Sequence, residues 1–242
     1  MYILIEKNEK FVAGVLYQSA VTEEKQWRKE QNNEHDIVLL EKLLNELRNL
    51  GYDYKYLADI TNRENNDSEL LNVVLKYIGE FDDEGISAEL IGVVGKKKNT
   101  AATEVIIKNY LNSSDENKRM QAVFYDNALE QIKDKRYIYE YLELLKNPED
   151  AIKLHFTMVM LGKWKVEEAK PYFLKYLNST LLYLNETTSD LVFTSLKALS
   201  YYDDPDGLII KSIESKLSSR DKNVVTAAKK AIKRLRKNNG IT

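Results

Sequence analysis

Apolar residues recur every three or four positions through most of residues 36–237, and short polar stretches interrupt the recurrence. That spacing puts one apolar stripe on each of a series of helices. Asp36 stands where an N-cap belongs for "IVLLEKLLNELRNLG", with Ile37, Leu40, Leu44 and Leu47 on one face and Gly51 as the stop. Ser68 takes the same place before "ELLNVVLKYIGEF", where Leu71, Val74, Leu75 and Ile78 align. Ile86, Leu90, Val93 and Val94 align in "EGISAELIGVVG". Eight further segments follow, from "TAATEVIIKNYLNS" to "DKNVVTAAKKAIKRLRK". Pro148 and Pro205 fall where helices begin, and Pro171 implies that its helix starts near Ala169 or Lys170, or kinks there. About ten to twelve helices are expected, most of them about 11–17 residues long.

The tetrapeptide Tyr-Leu-Asn-Ser occurs at Tyr110–Ser113 and again at Tyr176–Ser179, each time at the end of a predicted helix. Similar helix ends stand at Leu144–Asn147 ("LLKN") and Lys216–Ser219 ("KLSS"). These ends recur at intervals in the thirties, rising to 40 for the last, with two helices per interval. Such a period marks stacked helix pairs, each burying part of its apolar surface on its neighbours.

Residues 203–237 resemble a HEAT-like repeat. They have an Asp-Pro opening, a helix, a short turn with an Asp, then "VVTAAKKAIKRL" with the small residues Ala227, Ala228 and Ala231. The resemblance covers roughly residues 68–237 and implies an all-α chain, an α-solenoid of stacked helix pairs. Residues 36–238 then form the repeat domain, 1–35 an N-terminal cap that fits either a hairpin or a helix, and 239–242 a tail. Some bacterial HEAT-like solenoids are immunity proteins that neutralise a toxin by direct binding. A family of alkylpurine DNA glycosylases and a class of bilin lyases are built from similar repeats.

Composition narrows the chemistry. Hydrophobic residues make up 43% of the 242 and aromatic residues 10%, enough for a folded core. The formal net charge of −2 gives no general pull toward nucleic acid. Without Cys there is no disulfide or thiolate, and no apolar run approaches the ~18–20 residues that span a bilayer. The N-terminus lacks the form of a signal peptide, so a cytoplasmic monomer with no membrane association is expected.

No phosphate loop, dinucleotide-binding glycine pattern or nucleophile elbow occurs, so no catalytic residue and no cofactor are assigned. His35 and His155 lie 120 positions apart, and sequence spacing puts no carboxylate set beside them that would hold a metal. His155 is expected within an apolar helix as a structural residue. The Asp residues of "EFDDEG" and "YYDDPDG" are expected to cap the helices that follow them. From Arg220 to Lys237 there are eight Lys or Arg and one Asp. A terminal helix with a solvated basic face explains this, and contact with nucleic acid or an acidic partner is the alternative.

Sixteen Tyr and two Trp suit a protein-binding surface. The partner expected is another protein, with a toxin domain as the narrowest version; a DNA-binding protein or glycosylase with a basic groove is the alternative. The candidate partner-binding residues lie off the apolar stripes. They are Tyr139, Glu140 and Glu143 on one helix, Trp164 in a turn, and Lys170, Lys175, Lys211 and Glu214 on the two helices after it.

Overall fold

The computed structural model describes residues 21, 22, 24, 26, 34–61, 67–95, 99–112, 119–147, 154–178, 186–238 and 240. Most of the expected cap segment 1–35 therefore lies outside the described residues. Among the described residues there are twelve α-helices and no strand. The helices are α1 Glu34–Asn49, α2 Leu57–Thr61, α3 Ser68–Tyr77, α4 Glu84–Gly95, α5 Ala102–Asn112 and α6 Arg119–Ile132, followed by α7 Ile138–Leu144, α8 His155–Lys163, α9 Lys170–Asn178, α10 Glu186–Leu199, α11 Leu208–Glu214 and α12 Lys222–Asn238. The chain is all-α, as its apolar period predicts. It divides into two compact units, Met1–Phe124 and Tyr125–Thr242, with the division inside α6.

In the first unit, α1 packs on α3, α2 on α4, α3 on α4, and α4 on α5. Leu40, Leu43, Leu44 and Leu47 are fully buried along α1. Each contributes about 1.5–3 kcal/mol of transfer free energy, so this stripe outweighs the few tenths that helix propensity supplies per residue. Gly51 closes α1 at φ 93°, while the Tyr52 amide donates to the Leu47 carbonyl and the Gly51 amide to that of Arg48. This pair of bonds is the Schellman stop expected of a glycine there.

In the second unit, α8 packs on α10 and α10 on α12, forming one layer. Helix α9 packs on α11 in a second layer, and the contacts α9–α10 and α11–α12 join the two. A Cβ on Gly162 of α8 would meet the backbone of Ala198 on α10, 2.5 Å from its carbonyl oxygen, so only glycine permits this close crossing. Tyr125, Tyr141, Phe173, Tyr176 and Tyr202 are fully buried.

Side-chain bonds inside each unit recur at the interval seen in the sequence. In the first unit, the Tyr77 hydroxyl donates to Glu46 Oε1 across 31 residues, at 2.7 Å, and Asn109 Nδ2 donates to the Ile78 carbonyl, also across 31. In the second, Tyr176 donates to the Leu145 carbonyl across 31 and Tyr202 to the Val166 carbonyl across 36, while Asn238 donates to the Ser200 carbonyl across 38. The recurrence is compatible with a helical-repeat chain.

The capping expectations need two corrections. Asp67, not Ser68, caps α3, its side chain accepting the Glu69 amide. Asp36 does not cap its own helix. It lies in the first turn of α1, buried, and its two oxygens accept the amides of Asp82 and Asp83 at 3.0 and 2.9 Å. Asp83 in turn caps α4, accepting the Gly85 and Ile86 amides as expected. The short helix α2 has no apolar period long enough to predict it; Asp59 secures its start by accepting the Lys55 and Tyr56 amides.

Candidate functional site

The residues selected from the sequence are mostly exposed. Tyr139 is 76% exposed on α7, and Glu140 and Glu143 are exposed beside it. Lys175 on α9 and Lys211 and Glu214 on α11 are exposed as well. Several are already engaged. Glu143 pairs with Lys146, and Glu214 pairs with Arg236 at 3.6 Å. Lys170 is half-buried, pairs with Glu167 at 2.7 Å and lies 5.4 Å over the Tyr202 ring. Trp164, half-buried at the end of α8, has Lys135 Nζ 5.3 Å over its ring. Helices α9 and α11 pack together, so the structure puts Lys170, Lys175, Lys211 and Glu214 on one layer.

A cleft in the second unit lies in the other layer, and none of its lining comes from α7, α9 or α11. It has a volume of about 840 Å³ and runs between α10 and α12. Phe193 and Lys197 line it from one face of α10, and Ser200 from the turn that follows. From α12 its floor is Val224, Ala227 and Ala231, and its wall carries Lys230, Lys233, Arg234 and Lys237. Asp221 is the single carboxylate of the lining, and it caps α12 by accepting the Asn223 amide at 2.8 Å. Arg234 stacks on Tyr201, 4.0 Å from the ring centre. Lys197, Lys230, Lys233 and Lys237 form no ion pair among the described residues.

Next to the cleft lies a group of rings. His155 stacks on Phe193 with centroids 6.4 Å apart and meets Phe156 edge-on at 5.4 Å. Its Nδ1 is 2.6 Å from the Thr194 hydroxyl. Phe156 and Phe193 are each more than a third exposed. His155 is half-buried, as expected, but it stands at the first residue of α8 and not within a longer helix. Buried Asp126, on α6, holds that helix end by accepting the Phe156 and Thr157 amides at 2.6 and 2.8 Å.

Comparison with protein-family models, with curated proteins and with solved structures finds no match.

Charge separates along the chain. Residues 1–124 carry 16 Lys or Arg against 22 Asp or Glu, a net of −6, and residues 125–242 carry 20 against 16, a net of +4. The overall charge of −2 conceals this, and with it the basic character of the cleft.

Against expectation, the fold does bring carboxylates to a histidine. His35, Asp36 and Asp82 lie together, with His35 Nδ1 3.4 Å from Asp36 and 3.7 Å from Asp82. Both oxygens of Asp36 are already engaged by backbone amides, so the cluster reads as the sealed start of α4. Among the described residues no helix is long and apolar enough to cross a membrane.

Phe156, Phe193, Lys197 and Ser200 were not selected from the sequence. Their signal is slight: Phe193 and Lys197 stand i, i+4 on α10 at exposed positions between buried neighbours.

Proposed function

We propose that this protein is a non-catalytic module that works by holding another protein. The observation that carries this is the meeting, on α8, α10 and α12, of exposed rings at Phe156 and Phe193 with a cleft that has an apolar floor and cationic walls. Aromatic anchors beside charged groups are the composition of binding hot spots. A HEAT-like solenoid is the architecture that best accommodates the two-layer packing of the second unit. The resemblance to HEAT-like immunity proteins makes a bacterial toxin domain a fitting partner, with a cytoplasmic encounter. A basic nuclease would not suit the cationic cleft, so such a toxin would dock there through an acidic segment.

A second reading rests on the same cations. A basic cleft beside rings also suits a single-stranded nucleic acid, whose phosphates pair with Lys and Arg while its bases stack. The protein reading is preferred because Val224, Ala227 and Ala231 make an apolar strip along α12, which a docked protein segment can bury and a nucleic acid would leave unused.

Affinity capture from the organism that makes the protein tests the two readings. Wild type is compared with Phe156→Ser/Phe193→Ser, and both with the charge reversal of Glu140, Glu143, Lys170, Lys175, Lys211 and Glu214. Nuclease-resistant capture of one protein that the Phe variant loses supports the proposal. Salt-sensitive retention of nucleic acid alone, or turnover of an alkylated base by the purified chain, overturns it.

A further inference from the structure

Resting on that reading, we propose that the cleft between α10 and α12 takes an acidic amphipathic helix of the partner protein. The helix lies along α12 with its apolar stripe on Ala227 and Ala231 and its carboxylates against Lys197, Lys230, Lys233 and Lys237.

Shape argues for a helix. The lining of α12 runs from Asn223 to Lys237 at steps of three and four residues, so it is one continuous stripe. At 1.5 Å per residue that stripe is about 21 Å long, or roughly four helical turns. Small side chains on its floor let another helix approach closely, and Phe193 on the facing helix α10 supplies an anchor at the edge. A lone anion needs neither the length nor the apolar floor.

Charge argues for carboxylates. On α12, Lys230 stands i, i+4 to Arg234 and Lys233 stands i, i+4 to Lys237, arrangements in which like charges repel. Cations in the last turn of a helix suit its dipole, which accounts for Lys237 and for Lys197 at the end of α10, but Lys230 lies in mid-helix. The neighbouring Arg236 is paired with Glu214 outside the cleft, whereas the lysines facing into it form no ion pair among the described residues. A row of carboxylates three and four residues apart on a docking helix supplies the missing charge in the same rhythm.

The test uses the full-length chain and labelled synthetic probes read by fluorescence anisotropy at 50 and 150 mM salt. The first probe is an 18-residue helix with Leu on one stripe and Glu flanking it. The second has the same composition in an order that breaks the helical period. The third has Lys in place of Glu, and the fourth is a 12-nucleotide single-stranded DNA. The proposal expects saturable binding of the first probe. The second is expected to be at least tenfold weaker, the third not to bind, and the DNA to bind more weakly than the first. Lys230→Glu/Lys233→Glu, both exposed positions, should weaken the first probe at least tenfold, and Ala227→Leu should weaken it with the cations intact. Equal binding of ordered and scrambled probes, tighter binding of DNA, no binding of the first probe, or a cleft filled by self-association that Lys230→Glu abolishes would each overturn it. The two proposals fail separately. A natural partner still captured by Lys230→Glu/Lys233→Glu removes the cleft but leaves the protein-binding reading standing.

Discussion

The hydroxyl of Tyr176 donates to the backbone carbonyl of Leu145, tying the end of α9 to the end of α7. Tyr176 opens the second copy of the repeated tetrapeptide, and Leu145 lies in the related helix end "LLKN". Both residues are buried, so the carbonyl has no water to replace the hydroxyl. Tyr176→Phe should therefore destabilise the chain by about 1–3 kcal/mol, the cost of a buried acceptor left without its donor. Urea unfolding read by circular dichroism measures it; an unchanged midpoint would show that the link contributes nothing.

Asp126 gives the chain a pH dependence. Burial pushes its carboxyl up to about 7, against the pull of the two amides it accepts. The unfolded carboxyl titrates near 3.8. Between these values the folded chain holds a proton that the unfolded chain has released, so this group's stabilisation is complete below pH 4 and is lost as pH rises through about 7. Asp126→Asn, which keeps a carbonyl acceptor but cannot titrate, should remove that slope. Parallel pH profiles for the two proteins would refute the assignment.

Gly162→Ala should force α8 away from α10, because the added methyl group meets backbone at Ala198, which cannot rotate aside. The expected loss is about 1–3 kcal/mol. Thermal unfolding measures it, and Gly92→Ala, where a Cβ meets nothing within 4 Å, is the control that should be nearly neutral.

Leu235 is fully buried on α12, so a carboxylate there would be taken out of water. Leu235→Asp should cost several kcal/mol and strip hydrogen-exchange protection first from α12 and from its packing partners α10 and α11, less from α8 and α9. Uniform loss across the second unit would mean that its helices unfold together. Ala227, which the sequence places among the small packing residues of this repeat, is half-buried and lines the cleft, so Ala227→Asp should be milder.

The helices were legible because their stripes are long. On α12 the stripe Val224, Ala228, Ala231, Ile232 and Leu235 is the buried set. Of the readings Pro171 allowed, a start near Ala169 or Lys170 or a kink, the structure has the start, at Lys170. What the sequence concealed is where a side chain meets backbone far along the chain. Nothing local distinguishes Asp36, whose oxygens serve amides 46 and 47 residues away, from an N-cap of its own helix. The cleft was half legible. The basic stripe of α12 stands out in the sequence, but its floor and the facing Phe193 and Lys197 emerge only when α10 is laid beside it. The row chosen from the sequence, by contrast, lies on helices that contribute nothing to that cleft.

Five of the long-range side-chain bonds share a direction, which the exposed bond from Lys165 to Asp203 does not. Tyr77, Asn109, Tyr176, Tyr202 and Asn238 each donate to a residue made earlier, and the amides of Asp82 and Phe156 are received by Asp36 and Asp126, also made earlier. As the chain leaves the ribosome, the segments that carry these donors therefore meet acceptors already made. Assembly can keep pace with translation, adding one helix at a time to a finished edge. A ribosome-stalled Trp27→Phe chain with Asn178 just outside the tunnel should already show the fluorescence of Trp164 with Lys135 over its ring, before α10 to α12 exist.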